Sequence, residues 1–170
     1  PRPDRGQPDG VGVVELICPA GTPASLEAAV EAGADAIYCG FRDETNARNF
    51  PGLNFSRDEL RRGIAFAHRH GVKVLVAINT FPRAGDQALW HRAVADARQA
   101  GVDAVILADL GLIAHAAETH PDLRLHLSVQ AAAANPADAN AMRGLLSAET
   151  GLTGALSRLM VVSEAYPDLK

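Results

Sequence analysis

The segment from Asp43 to Phe55 holds three asparagines, Asn46, Asn49 and Asn54, around a single Arg48. An amide side chain donates and accepts at once, and a guanidinium grips anions through a fork of N–H groups. The segment joins a strand-like run ending at Gly40 to a helix-like run starting near Ser56. Such connections are usually roughly two to six residues long, so a polar insert of this length is read as a binding loop. Asn46, Arg48 and Asn49 are its candidate ligand contacts. The carboxyl ends of the strand-like runs supply further polar groups in Asn79, Asp109 and Gln130. Along the fifth run Arg124, His126, Ser128 and Gln130 alternate with Leu125, Leu127 and Val129, which puts the polar set on one face. Glu15, Tyr38, Asn79, Asp109, His126, Ser128 and Gln130 are therefore expected to converge. That set suits a polar ring substrate, with Asp109 as acid or base. The alternative is that these groups cap strand ends and satisfy one another.

Other chemistries find little material. The only lysines are Lys73, at the start of a strand-like run, and Lys170, the last residue, so no lysine is placed for Schiff-base chemistry. Cys18 and Cys39, both at predicted strand ends, are read as reduced thiols; two are too few for a four-cysteine metal site. His68, His70, His91, His115 and His120 fall on helices or helix ends without metalloprotease spacing. Neither a nucleotide-binding glycine fingerprint nor a G-x-S-x-G elbow is present.

The elements that must position these residues repeat as helix, glycine, strand. Helical runs end at Gly33, Gly71 and Gly101, each suited to the left-handed position past a helix. The runs that follow, Ala36–Gly40, Val72–Ile78 and Ala104–Leu110, are apolar on both faces, as in buried parallel strands. Val13–Cys18 reads as strand one and Leu123–Val129 as strand five. Helices open at Thr22-Pro23, at Ser56 and at Asn135-Pro136. Trp90 with Leu89, Ala93, Val94 and Ala97 forms a helix face that packs on the sheet. Five alternating βα units fit either a doubly wound sheet or the first part of a (β/α)8 barrel, whose full length is about 250 residues. Residues 1–12 read as a flexible extension, 13–143 as the partial barrel, and 144–170 as a divergent tail with a possible sixth strand near 159–162.

A length of 170 residues, 48% hydrophobic and 21% charged, describes one globular domain with a core. The net charge of -4 makes nucleic acid an unlikely partner. No apolar run reaches the roughly 18 residues of a membrane span, and a cytoplasmic location is expected.

Several segments together resemble the collagenase-like U-32 peptidase family. These are Glu15-Leu16-Ile17-Cys18-Pro19-Ala20-Gly21, Gly33-Ala34-Asp35-Ala36-Ile37-Tyr38 with Gly40, and Leu127-Ser128-Val129-Gln130-Ala131. Within the family, Thr45-Asn46-Ala47-Arg48, Gly52-Leu53-Asn54-Phe55, Ala77-Ile78-Asn79-Thr80-Phe81 and Ile106-Leu107-Ala108-Asp109-Leu110 are most similar to the UbiU branch. The resemblance implies a (β/α)8-like parent fold and ring hydroxylation in oxygen-independent ubiquinone biosynthesis. It implies a small aromatic or prenylated quinone precursor as substrate, a UbiV-like partner in a heterodimer, and a [4Fe–4S] cluster in the full-length member. The family's cluster cysteines lie beyond the segment matched here, so this chain is expected to bind no cluster and to be inactive alone. Peptidase activity, RNA hydroxylation and a non-catalytic half-barrel module are the alternatives.

Overall fold

In the computed structural model, which describes residues 15–131, 144 and 160–161, strands and helices alternate. The order is β1 (Ile17–Pro19), α1 (Pro23–Glu31), β2 (Ala36–Gly40), α2 (Arg57–Arg69), β3 (Lys73–Ile78) and α3 (Ala88–Ala100). It continues with β4 (Ala104–Leu107), α4 (Leu110–Thr119), β5 (Leu125–Leu127), a 3-10 turn (Val129–Ala131) and β6 (Met160–Val161). Neighbouring strands pair in parallel, and the sheet order is β1-β2-β3-β4-β5-β6. A doubly wound sheet reverses its strand order at a switch point. Here the spatial order never leaves the chain order, which is how a barrel wall is built. The architecture is an incomplete (β/α)8 barrel. β6 falls within the 159–162 stretch considered for a sixth strand. The expected extension 1–12, the helix at Asn135-Pro136 and most of the tail lie outside the described residues.

Local chemistry explains the element ends. Thr22 and Ser25 exchange capping bonds at the start of α1, with Pro23 in the first turn. Ser56 and Glu59 do the same for α2, whose first turn is acidic and last turn basic, as the helix dipole favours. Gly33, Gly71 and Gly101 sit at φ of 88°, 70° and 85°, the left-handed region where a Cβ would clash.

The strand faces part by parity. Ile37, Cys39, Val74, Val76, Ile78, Val105, Leu107, Leu125 and Leu127 pack with the helices into the main core. Ala36, Leu75 and Ala104 form a second cluster on the opposite, concave face, with Tyr38 and Ile106 against it.

Three strand ends differ from the sequence expectation. β1 ends at Pro19, not Cys18, and its pairing starts where Leu16 bonds Asp35 and Ala36; residues 13 and 14 lie outside the described part. β4 stops at Leu107 because the Asp109 carboxylate captures the Leu112 N–H at 2.7 Å and opens α4. β5 stops at Leu127 because Ser128 takes the next free N–H groups. Its hydroxyl accepts from Gln130 N at 3.3 Å and its carbonyl from Ala131 N at 3.0 Å, which tightens the chain into the 3-10 turn.

Candidate functional site

The loop between β2 and α2 folds back over the carboxyl ends of its neighbours. Asn46 is buried beneath it, 7% exposed. Its Nδ2 donates to Asn54 Oδ1 at 2.9 Å, and its Oδ1 accepts from Arg48 N at 3.0 Å. Asn54, at φ 69°, donates from Nδ2 to Arg48 O at 2.8 Å, and its own N–H bonds Gly21 O at 2.6 Å. The Asn79 side chain reaches up from the end of β3 to accept the Ala47 N–H at 3.0 Å. Thr45 O takes the Asn79 N–H at 3.0 Å. Strand ends, first connection and loop are thus knitted by amides, with Asn46 and Asn54 each using a donor and an acceptor and Asn79 an acceptor. Asn46 fits only because residue 40 lacks a side chain: a Cβ on Gly40 would lie 1.9 Å from Asn46 Nδ2.

A second set of bonds ties the loop to the outer helices. Arg57 pairs with Asp43 and, at 3.1 Å, with Asp96 of α3, its guanidinium 4.0 Å from the Phe41 ring centre. Burial pushes the Asp43 carboxyl up, but bonds from Thr45 and Arg57 outweigh it and hold the pKa below the ordinary range. Arg42 braces the other arm, bonding Leu53 O, Asn54 O and Glu59. Thr80 accepts from Trp90 Nε1 at 3.0 Å and donates to Glu44 O at 2.6 Å.

Beneath the loop lies a cavity of about 120 Å3. Pro19, Ala20, Tyr38 and Ala77 give it an apolar floor, and Asn46, Arg48, Asn54 and Asn79 a polar rim. Arg48 is exposed, and its guanidinium has no bond to another described residue. The arrangement suits a small ring with a polar or anionic substituent directed at Arg48.

Of the expected site residues, Asn46, Arg48 and Asn79 come together here. Asn49 is exposed on the loop. Asp109 does not join them: it caps α4 and lines a separate space of about 300 Å3 with Gln87, His91, His115 and Glu118. Glu15 lies at the opposite end of the sheet, paired at 3.2 Å with Lys73 at the start of β3, so its convergence with the others is corrected. Gln130 leaves the strand face with the 3-10 turn and is exposed. Ser128 is buried and bonded to its own turn. His126 keeps to the concave face, level with Ile106. Burial, and then Arg124, depress its pKa, and among the described residues neither ring nitrogen meets a partner. Sequence reasoning passed over Asn54 as a site residue, and the signal for it is a loop asparagine, a residue type suited to positive φ. It also passed over the stacked rings of His91 and His115, 3.7 Å apart, because neighbours on two helices leave no mark in spacing.

The residues present do not fit a [4Fe–4S] cluster. Such a cluster takes four thiolates, and the chain has two cysteines. One of them, Cys39, is buried, with its thiol pushed up to about 12 by desolvation. Among the described residues no three His, Cys, Asp or Glu side chains gather as metal ligands would. Also among them, no helix is long and apolar enough to cross a membrane.

The model of "Peptidase family U32" matches residues 21–149. An uncharacterized protease of Methanocaldococcus jannaschii is 38% identical over 145 residues, 82% of this chain and 35% of that protein. The tRNA hydroxylation protein P of Escherichia coli is 38% identical over 122 residues, 71% of this chain and 26% of that protein. The solved U32 peptidase Mk0906 superposes with a TM-score of 0.62 at 23% identity, covering 82% of this chain and 59% of its own. The chain thus spans about a third or less of the curated relatives named here. With the matched segment running from the first strand's end past the fifth strand, the chain belongs to peptidase family U32.

Proposed function

We propose that this chain is the amino-terminal part of a ring-hydroxylation protein of the UbiU kind, acting in oxygen-independent ubiquinone biosynthesis beside a UbiV-like partner. The observation that carries the reading is the identity of the cavity roof. Asn46-Ala47-Arg48, within one of the segments similar to the UbiU branch, closes over the strand ends with Asn46 buried and Arg48 on the rim. In this role Pro19, Tyr38 and Ala77 seat an aromatic ring, and the bonded amides of Asn46, Asn54 and Asn79 fix the rim. Arg48 takes the polar substituent. Asp109 holds the start of α4 and takes no proton step in this cavity. The redox chemistry belongs to parts of the full-length protein that carry cluster ligands.

Two observations bear on the alternatives. A peptidase needs an activated nucleophile beside a base; the Cys39 thiol stays protonated, and among the described residues no histidine lines the cavity. RNA hydroxylation is favoured by the likeness to a tRNA hydroxylation protein, while the net charge of -4 works against holding a polyanion.

The full-length gene of which this chain is the amino-terminal part should be expressed anaerobically with a UbiV-like partner in hosts lacking quinone-ring or tRNA hydroxylation. Mass spectrometry then counts ubiquinone and hydroxylated tRNA nucleosides. Restored ubiquinone with unchanged tRNA is expected. Restored tRNA alone would replace the quinone reading with the RNA one, and gelatin cleavage with neither product would return it to a peptidase.

A further inference from the structure

We infer that His126 is a ligand-binding residue, placed to exchange hydrogen bonds with a hydroxyl group on a ring seated between it and the cavity under the β2–α2 loop. The inference shares its location with the proposed function but not the identity of the quinone.

Strand register sets the geometry. Gly40 aligns with Ala77, Ala77 with Ile106, and Ile106 with His126, so one row crosses the concave face at a single height. Gly40 and Ala77 line the cavity. His126 stands two strands away from Ala77, about 10 Å at ordinary strand spacing. That distance, measured across Ile106, matches the length of one substituted six-membered ring with a hydrogen bond at its far end. The flanking Leu125 and Leu127 belong to the helix-side core, which fixes the imidazole on the concave side.

Polar satisfaction points the same way. Both His126 ring nitrogens are closed off from solvent, and neither has a hydrogen-bond partner among the described residues. Buried polar side chains are nearly always bonded, and one left without a partner weakens the fold. A position at which phenylalanine would cost the fold less, yet histidine stands, is explained by a partner that arrives with the ligand. Burial favours the neutral ring, which offers one donor and one acceptor. A hydroxyl group offers the complementary pair. Among the other polar residues of this strand, Ser128 is engaged in its turn and Gln130 has left the face.

The test uses the whole chain, with 4-hydroxybenzoate and benzoate as probes that differ by one hydroxyl. The wild type is expected to prefer 4-hydroxybenzoate by about tenfold in Kd, the worth of a good hydrogen bond. His126→Phe should erase the preference while leaving the melting temperature unchanged or higher, and His126→Gln should retain part of the preference. A preference that survives His126→Phe overturns the inference. So does an absent preference in the wild type, or a fall in melting temperature showing that the imidazole serves the fold. If His126→Phe does not fold, a full preference in His126→Gln overturns it and a reduced one supports it. Hydroxyl preference without ubiquinone rescue would remove the quinone reading and leave His126 in place. Rescue without the preference would do the reverse.

Discussion

Replacing Gly40 with alanine probes the loop at its tightest contact. The new Cβ would meet Asn46 Nδ2 at 1.9 Å, Cγ at 2.6 Å and Cβ at 3.2 Å. Asn46 is buried and held at both ends of its amide, so it cannot swing aside without releasing Asn54 Oδ1 and Arg48 N. Two lost bonds at about 1 kcal/mol each, plus about 1 kcal/mol for a buried partner left unpaired, give a cost of about 3 kcal/mol. For a chain of this size that is a fall in Tm of roughly 6–12 °C. Asn46→Ala breaks the same bonds and should cost about the same. The double variant should also cost about 3 kcal/mol rather than about 6, because the alanine methyl then meets only the residue 46 Cβ at 3.2 Å, a contact relieved by a small shift. Urea melts of the four proteins measure this cycle. Additive costs, or a Gly40→Ala protein within about 0.5 kcal/mol of wild type, would show that the contact is not the constraint described.

Asp109→Ala should destabilise by about 1 kcal/mol through loss of the α4 cap. Asp109→Asn, which can still accept the Leu112 N–H, should melt like the wild type; equal losses in both would point to a role for the charge. The depressed Asp43 pKa makes its contribution complete above the unfolded carboxyl value and lost as pH falls toward the folded one. Acid titration of stability should therefore steepen below about pH 4 in the wild type and flatten in Asp43→Asn; parallel curves would contradict the pairing with Arg57 and Thr45. Cys39 is 4% exposed with its thiol near 12. Iodoacetamide at pH 8 should accordingly modify Cys18 long before Cys39, as peptide mass spectrometry would record.

Much of the framework was readable before any coordinates. Gly33, Gly71 and Gly101 announced three helix ends because only glycine takes that φ cheaply, and Ser56 with Glu59 spelled a capping box. The choice of barrel over doubly wound sheet came from the family resemblance and not from periodicity, since βα alternation is common to both and strand order is a tertiary fact. Asp109 and Gln130 looked like strand-end ligands because apolar periodicity runs on past the last ladder bond. Where a strand stops depends on which side chain first captures the next N–H, as Asp109 and Ser128 do. Asn46 and Asn79 were found from residue type and position, whereas Arg57, bridging Asp43 and Asp96, spans partners that only folding brings together.

Ubiquinone content of an anaerobic, hydroxylation-deficient host, measured by mass spectrometry, is the most direct test of the function placed at the β2–α2 loop. The full-length gene should restore ubiquinone when wild type. It should fail when Arg48 is changed to glutamine, with the protein still present at wild-type level. Unchanged ubiquinone in the Arg48 variant, or none with the wild type, would contradict a quinone-ring site beneath this loop.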